Sequence, residues 1–366
     1  MKRKALIIII AVLAVLVAAG FIVYKAALPQ PLSYDIDSVP SVGSSVEIVD
    51  EKEDEVTIKK NGDGFKVLMF TDLHFDGKNE TSTVTATNLV NNIVREKPDL
   101  VIVGGDNVTS AFNGKRSAQL ATIFENLGVY WAGVLGNHEG DNRFSISREK
   151  MISVFSSQDH CLIKSGKDDV DGLGNYALVI LNEDDSVKHV YYFMDTMDEM
   201  SSELKAEYGI PEEESPYDGT KASQVKWYTE KNNELKEKYG DFKSTVVVHI
   251  PLPQYKTAAE NGKFIYGDRL EKICASGFDA GLFDAIKAGG TTKSVFCGHD
   301  HLNTFGIEYD GILLSYIQPS GYGSYTTASR LGYEEADWLQ GYTKLELEND
   351  GTFTASRVRN AEIAAQ

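Results

Sequence analysis

Residues 65–75 read Phe-Lys-Val-Leu-Met-Phe-Thr-Asp-Leu-His-Phe. The apolar residues from Val67 to Phe70 predict a buried strand, and Asp72 and His74 follow where that strand ends. Side chains two residues apart in extended backbone project to the same side, so this carboxylate and this imidazole can grip one cation. The motif is short, and taken alone an ordinary loop explains it equally well.

The same pattern, an apolar run that ends in acidic, amide or histidine residues, recurs four more times along the chain. The further clusters are Gly105-Asp106-Asn107, Gly136-Asn137-His138-Glu139, His249 and Gly298-His299-Asp300-His301. Five of the seven histidines fall in these clusters. The carboxyl ends of strands are where open α/β sheets gather their sites. Oxygen and nitrogen ligands that converge from several strands favour a two-metal site for hydrolysis of a phosphate ester.

The individual clusters suggest different roles. Asp106 can offer one carboxylate oxygen to each of two ions and is the natural bridge between them. Asn137 and His138 are adjacent, so they do not easily bind the same ion. The Asn137 amide oxygen suits Mn, Fe or Zn beside other donors, which leaves His138 free to donate a proton to a leaving alkoxide. Glu139 either orients His138 or is a solvated surface acid.

The order of these motifs resembles the calcineurin-like metallophosphoesterases over roughly Val56 to Val358. The strings Phe70–Phe75, His249–Tyr255 and Gly298–Leu302 are similar to a purple-acid-phosphatase-like subgroup of that family. The resemblance implies an α/β (α+β) fold, a four-layer αββα sandwich of two mixed β-sheets flanked by helices. It also implies a dinuclear metal centre between the two sheets.

The resemblance further implies which residues hold the ions. One ion takes Asp72, His74, Asp106 and His301, and the other takes Asp106, Asn137, His249 and His299. A bridging hydroxide would attack phosphorus, and His138 would protonate the departing oxygen. The purple enzymes carry a tyrosinate ligand three residues after the bridging aspartate, and this position is Thr109 here. The two ions are therefore left open among Mn, Fe and Zn.

The expected activity is the hydrolysis of phosphate mono- or diesters outside the cytoplasm, with Asp106 and His138 as catalytic residues. His138 and Arg269 are the expected substrate contacts, and the substrate is a phosphorylated small molecule or a lipid-linked phosphate. Two alternatives stay open. One is a pyrophosphatase or phosphodiesterase acting on lipid-linked or nucleotide substrates. The other is a catalytically silent metal-binding module at a surface.

The N-terminus predicts a membrane segment. The basic residues 2–4 precede an apolar run from Ala5 to Tyr24, and 20 helical residues rise about 30 Å, enough to span a bilayer. We expect residues 1–27 to be a single-pass anchor with the remainder exported. A cleaved signal segment and a secreted protein are the alternative. The net charge of −18 repels nucleic acid, so no nucleic acid binding is expected.

The remaining expectations concern organisation. Residues 28–54 contain three prolines and several serines and predict a flexible stalk, so the catalytic domain spans 55–366. A hairpin is predicted from Val56 and Ile58 through the turn Asn61–Gly64 to the strand ending at Phe70, and Asp310-Gly311 predicts a second hairpin turn. Helices are expected over 83–95, 115–127, 147–155 and 223–239, with surface loops over 198–220 and 255–281. A Cys161–Cys274 disulfide is one pairing of the three cysteines.

Overall fold

A computed structural model describes residues 2–62, 64–141, 144–214, 216–332 and 338–364. Within these residues the strands are β1 Val46–Lys52, β2 Glu55–Lys60, β3 Phe65–Phe70, β4 Leu100–Gly104, β5 Trp131–Val134, β6 Tyr176–Leu181, β7 Val187–Phe193, β8 Ser244–Val247, β9 Lys263–Tyr266, β10 Thr292–Cys297, β11 Gly306–Tyr309, β12 Ile312–Tyr316, β13 Gly341–Leu347 and β14 Phe353–Arg359. The helices are α1 Lys2–Ala27, α2 Asn79–Glu96, α3 Asn113–Leu127, α4 Arg148–Phe155, α5 Ser202–Tyr208, α6 Ala222–Tyr239, α7 Gln254–Asn261, α8 Leu282–Gly289, α9 Thr327–Leu331 and α10 Asn360–Ala364, with a 3-10 helix at Ile36–Ser38.

Two mixed sheets form the centre of the domain. The larger sheet has the order β1-β2-β6-β7-β8-β10-β12-β11-β9, and the smaller has the order β14-β13-β3-β4-β5. Strand β6 shows how the layers arise, because successive side chains of a strand point to opposite faces. Leu178 and Ile180 lie in the core shared with the smaller sheet, whereas Ala177 and Val179 pack towards the outer helices.

Helices cover the outer face of each sheet. Helices α2, α3 and α4 contribute buried residues such as Leu89, Phe124 and Met151 to the core of the smaller sheet. On the other side, Trp227 of α6 and Ile286 of α8 pack on the larger sheet. The predicted four-layer αββα sandwich of two mixed sheets flanked by helices is therefore confirmed.

The structure corrects the first predicted hairpin. Strand β2 lies in the larger sheet between β1 and β6, while β3 lies in the smaller sheet between β13 and β4. The hairpin partner of β2 is β1, with Lys52 opposite Glu55. Val56, Thr57 and Ile58 are all buried, so β2 has protein on both faces rather than one solvated face. Asp63, part of the predicted turn, lies outside the described residues.

The predicted flexible stalk is also wrong. Residues 46–52 form β1, and residues 28–45, which we call the strap, lie along the domain surface. Gln30 donates its backbone N–H to Gly77 O (2.9 Å), and Val42 donates to Leu127 O (2.8 Å). Prolines and serines exclude a helix, but they leave an extended segment free to pack against a core. The sequence pattern therefore identified the irregular backbone and missed its packing.

One helix and one turn are confirmed, whereas two predicted loops and a disulfide are corrected. The helix predicted over 223–239 is α6, and Asp310 and Gly311 both have positive φ (51° and 78°) in the tight turn between β11 and β12. The predicted loop over 198–220 contains α5, and the loop over 255–281 contains most of α7 and all of β9. All three cysteines are free thiols, so the Cys161–Cys274 disulfide is absent.

A buried lysine holds the edge of the larger sheet. Lys231 Nζ of α6 lies 3.2 Å from Asp54 Oδ1 and 3.1 Å from Glu55 Oε2, and all three residues are buried. Asp54 also accepts a hydrogen bond from Trp227 Nε1 (2.8 Å). A buried carboxylate without its cation is costly, so this lysine fixes the β1–β2 turn against α6.

We expect Lys231→Met to lower the free energy of unfolding by about 1–3 kcal/mol, because two buried carboxylates lose their buried cation and keep only the partly exposed Lys52 and Lys167. Guanidinium unfolding of the full chain in detergent, followed by tryptophan fluorescence, measures this change. Lys226→Met on the same helix is the matched control, since Lys226 is 73% exposed. The control should change stability by no more than about 0.5 kcal/mol. Equal effects of the two substitutions would contradict the argument.

Candidate metal centre

Five strands deliver the predicted ligands to one place between the sheets. Asp72 and His74 follow β3, Asp106 follows β4, Asn137 follows β5, His249 follows β8, and His299 and His301 follow β10. Strands β3, β4 and β5 are parallel neighbours in one sheet, and β8 and β10 are parallel neighbours in the other. Their carboxyl ends therefore meet across the sandwich. Backbone hydrogen bonds join the loops: Asp72 N–H donates to Gly105 O and Gly298 N–H to His249 O, both at 3.0 Å.

Four of the side chains form a first buried group. One ligand atom each from Asp72, His74, Asp106 and His301 lies within 4.8 Å of the other three. His74 Nε2 and His301 Nε2 are 3.0 Å apart, and His301 Nε2 is 3.3 Å from Asp72 Oδ1. His301 Nδ1 faces the Tyr325 carbonyl at 3.2 Å, and a carbonyl only accepts hydrogen bonds. The lone pair of Nε2 is therefore aimed at the group, as a metal ligand requires.

A second group shares Asp106 with the first. Ligand atoms of Asp106, His249 and His299 also lie within 4.8 Å of one another. His249 Nδ1 lies 2.8 Å from Gly104 O, which fixes that nitrogen as the donor. His249 Nε2 then points at Asp106 Oδ2, 3.2 Å away. One carboxylate between two sets of imidazoles is the arrangement expected for a bridge between two cations.

Asn137, the remaining predicted ligand of the second group, lies between two residues that contact Asp106. Its neighbours both approach Asp106: the His138 backbone N–H donates to Asp106 Oδ1 (3.0 Å), and a Cβ on Gly136 would lie 2.1 Å from the same oxygen. Asn137 Oδ1 is buried and makes no hydrogen bond within the described part of the chain. A buried amide oxygen without a partner is costly. A cation beside Asp106 would satisfy it, so the donor set fits a second ion.

The pKa values of two candidate ligand histidines are lowered, and those of His249 and His301 are raised. Burial lowers the pKa of His74 to about 4 and that of His299 to about 3, so both rings are neutral, the form that binds metals. Burial opposes a charge on His249 too, but the carboxylates of Asp106 and Asp72 outweigh it and raise the pKa of His249 to about 10. His249 Nδ1 already donates to Gly104 O, so the second proton of the charged ring lies on Nε2 and faces Asp106. A bound cation would take the place of that proton.

The backbone of these loops is unusual, and this corrects the expectation of extended residues. Asp72, His74, Asp106 and His299 have positive φ, from 43° to 77°. Such backbone is uncommon outside glycine and concentrates at functional sites. Gly105 also has positive φ (97°), and a Cβ there would lie 2.5 Å from His249 Nδ1. Tight left-handed turns, rather than alternation along a strand, therefore aim the ligands.

His138 stands at the rim of the group with 42% of its side chain exposed. Its ring centroid is 5.9 Å from that of His74, and its Nδ1 makes a very short contact with the Asp141 carboxylate. Burial disfavours a charged ring, but Asp106 and the hydrogen bond to Asp141 outweigh it and raise the pKa of His138. This ring is accessible, beside the candidate ligands, and biased towards its protonated form.

Glu139 does not orient His138, and it is not a surface acid. Its carboxylate is buried and accepts hydrogen bonds from the backbone N–H groups of Asn107 (2.6 Å) and Gly136 (2.8 Å). Burial and the Asp106 charge raise the pKa of Glu139 to about 7. Glu139 therefore ties together the two loops that carry Asp106 and Asn137.

Arg269, the other predicted substrate contact, is exposed on the segment after β9. Its backbone forms an isolated bridge with Asn303, two residues beyond His301. This places the Arg269 backbone near the β10 loop. A substrate role for Arg269 stays a prediction.

Sequence reasoning missed two residues around the site. Asp141 contacts His138, and the Tyr217 ring meets His299 edge-on at 4.3 Å. Asp141 was detectable, since it lies three residues after His138, whereas Tyr217 approaches from a distant loop and nothing local in the sequence marks it. Tyr325, which stacks on His301 with ring centroids 4.2 Å apart, lies in the glycine- and tyrosine-rich loop Gly321–Tyr325, whose composition suggests an aromatic lining.

We expect His301→Ala and His249→Ala each to reduce the bound metal by about one ion, because each removes a ligand from a different group. Metal analysis of the purified full chain after equilibration with Mn²⁺ or Zn²⁺ measures the stoichiometry. His160→Ala is the control, since His160 pairs with Glu125 on α3 and should leave metal content unchanged. Unchanged metal content in both ligand variants would remove these histidines from the site.

Known proteins share both sequence and fold with this chain. It is 29% identical to "Probable inactive purple acid phosphatase 14" of Arabidopsis thaliana over 330 residues, 81% of this chain and 78% of that protein. It is 30% identical to "Probable inactive purple acid phosphatase 29" of the same plant over 304 residues, 73% of this chain and 74% of that protein. A solved dimetal phosphatase from Danio rerio has a similar fold, with a TM-score of 0.50, 13% identity, and coverage of 80% of this chain and 99% of that one.

The family itself is also identified by sequence. Residues 65–303 match the sequence model described as calcineurin-like phosphoesterase, which is more than half of the chain and runs from β3 past His301. The match and the relatives agree with the resemblance carried by the five motifs. The chain therefore belongs to the calcineurin-like phosphoesterase family.

Proposed function

We propose that this protein hydrolyses phosphate esters with two metal ions. Asp72, His74, Asp106 and His301 would hold one ion, and Asp106, Asn137, His249 and His299 the other. The observation that carries the proposal is the pair of buried ligand groups that share the Asp106 carboxylate. Such ions, when bound, lower the pKa of coordinated water and neutralise phosphate oxygens. Mixed oxygen and nitrogen donors suit Mn, Fe or Zn.

His138 is the proposed general acid. A leaving alkoxide needs a proton, and a positioned imidazole contributes about 100- to 10,000-fold to such a step. The His138 side chain is 42% exposed, so a substrate can reach it, while Asp141 contacts its Nδ1. With Nδ1 engaged, Nε2 is the nitrogen left to carry a proton to the leaving oxygen. Asp106 acts differently, by holding both ligand groups together.

The proposed organisation is a membrane anchor at residues 1–27 followed directly by the catalytic domain, since the strap belongs to the folded part. Helix α1 contains an apolar stretch, Ile7–Lys25, with mean hydropathy 3.1 and none of it buried in the fold. The basic residues 2–4 before it favour a cytoplasmic N-terminus, which would place the domain outside the cytoplasm. Phosphate mono- or diesters are the proposed substrates, and hydrolysis of lipid-linked or nucleotide pyrophosphates and diesters is the alternative.

A catalytically silent metal-binding module is the second candidate. It is favoured by the two Arabidopsis relatives, both of which are named as probable inactive purple acid phosphatases. The accessible His138 with its carboxylate partner favours catalysis, because a module that only stores or senses metal has no need of a rim acid. Turnover of a generic aryl phosphate by the metal-loaded full chain decides between the two.

We expect His138→Ala to lower turnover of an aryl phosphate by about 100- to 10,000-fold while metal content stays the same, because the ring donates a proton without being a ligand. Steady-state kinetics beside metal analysis tests this. His160→Ala, a half-buried histidine paired with Glu125, should retain turnover. Full activity of the His138 variant would reject the proposed acid.

Asp141→Asn should move the alkaline limb of the pH–rate profile to lower pH. Asp141 helps raise the pKa of His138, and a general acid works only below its pKa. Removal of that carboxylate lowers the pKa, so the protonated form is lost earlier as pH rises. The profile of kcat/KM for an aryl phosphate measures the limb. An alkaline limb that stays in place would separate Asp141 from the proton donor.

A further inference from the structure

The end of the anchor helix contacts the domain next to the metal loops. Tyr24, in the last turns of α1, meets the Phe112 ring edge-on with centroids 5.5 Å apart. Phe112 in turn stacks on Phe144, at 5.0 Å and an interplanar angle of 6°. Phe112 directly precedes α3, and its neighbour Asn113 donates from Nδ2 to the carbonyl of Glu139 (2.7 Å). Three side chains therefore connect the helix end to the residue after His138.

A second connection runs through the strap. The Gln30 backbone N–H donates to Gly77 O, three residues after His74, and Gln30 Oε1 accepts from Asn79 N–H (3.0 Å). The fully buried Arg116 guanidinium closes this junction, since Nε donates to Asp76 O (2.7 Å) and Nη2 to Gln30 O (2.9 Å). The strap and the loop after His74 are thus held by one cation.

Chain lengths bound how far the site can lie from the membrane. One residue spans at most about 3.6 Å, so Gln30 is within about 18 Å of Lys25, the last residue of the apolar stretch. His74 is within about 11 Å of Gly77 on the same basis. The metal loop therefore lies no more than on the order of 30 Å from the end of the span. The contact between the Tyr24 and Phe112 rings brings the loop that carries His138 closer to the end of the span than this limit.

The side chains at this junction suit a bilayer surface. Phe144 is 55% exposed, and it lies on the segment that also carries His138 and Asp141. Tyrosine and tryptophan rings concentrate at the level of lipid headgroups, and Tyr24 lies near the end of the apolar stretch. The headgroup layer is about 5–8 Å thick on each side of a bilayer, and only the Phe112 ring separates Phe144 from Tyr24.

We propose that the domain is docked on the membrane with the His138 rim at the bilayer surface, and that its substrate is a phosphate ester in a lipid headgroup. The substrate part rests on the proposed hydrolysis, whereas the docking part does not. A flexible stalk would let the site sample solution in all directions. A strap fixed by Arg116 and an aromatic contact at Tyr24 keep the rim beside the headgroups, where lipid phosphate is concentrated.

Docking is tested by fluorescence without any turnover. Phe144→Trp in the full chain, reconstituted in phosphatidylcholine vesicles, should lose tryptophan emission when the lipids carry bromine in the upper acyl chain. Phe264→Trp is the matched control, because Phe264 is also 55% exposed but lies on the edge strand β9. Its added emission should stay unquenched. Absence of quenching at Phe144→Trp, or equal quenching at both positions, overturns the docking.

The substrate is tested by comparing lipid and soluble phosphates with the same reconstituted protein. A glycerolipid phosphate and a polyprenyl phosphate in the vesicles should be hydrolysed with higher kcat/KM than their water-soluble headgroup analogues. Phe112→Ala should raise the interfacial KM and lower the ratio of lipid to soluble turnover, whereas Phe264→Ala should leave the ratio unchanged. Whichever of the two lipid phosphates is hydrolysed with the higher kcat/KM identifies the class of headgroup.

The outcomes separate this inference from the proposed function. Hydrolysis of soluble aryl phosphate with no preference for either lipid phosphate overturns the lipid substrate and leaves the phosphoesterase intact. No hydrolysis of any ester by metal-loaded protein overturns the proposed function and the lipid substrate together. Quenching decides the docking in either case.

Discussion

Asp106 is the constraint on which the site depends. Its carboxylate is buried between His74 on one side and His249 on the other, with Oδ2 at 3.6 Å and 3.2 Å from the two rings. The Nδ1 atoms of His249 and His301 face backbone carbonyls, so their Nε2 atoms point into the same buried space as the carboxylates of Asp72 and Asp106. Burial of so many polar groups is unfavourable by itself. Cations bound there would offset this cost.

The same constraint explains the strained backbone around the ligands. In ordinary strand backbone Asp72 and His74 would simply project to one face of the sheet, whereas their positive φ sets the direction of each side chain by a local turn. Glu139 holds the Asp106 and Asn137 loops together from beneath, through the N–H groups of Asn107 and Gly136. Strain of this kind persists only where surrounding contacts enforce it. The loops therefore hold the candidate ligands in place, and His138 at their rim is the accessible side chain that can act on a substrate.

The sequence predicted the site better than the packing around it. Ligand types recur at fixed places after apolar runs, so Asp72 through His301 were found by pattern, and the four layers followed from the family resemblance. The first hairpin failed because the burial of β2 on both faces depends on β6, more than 100 residues away. The prediction of a flexible stalk failed because Val42 and Gln30 find their hydrogen-bond partners on α3 and on the loop after β3, which are distant in sequence. Asp141, by contrast, lay within reach of local reasoning.

The errors about the strap and about Glu139 have a common physical origin. The strap was expected to be a solvated stalk, and a surface position was one of two alternatives for Glu139. Both instead bind the loops that carry candidate ligands, Gln30 through Gly77 and Glu139 through Asn107. Arg116 makes the strap and the loop after β3 one unit, because its donors serve carbonyls of both. A change in the position of α1 would therefore reach α3 through Phe112 and the loop after His74 through Gln30. With the proposed membrane anchor in place, a strap that shares hydrogen bonds with the loop after His74 would restrict where the site can face, and that restriction would itself select substrates.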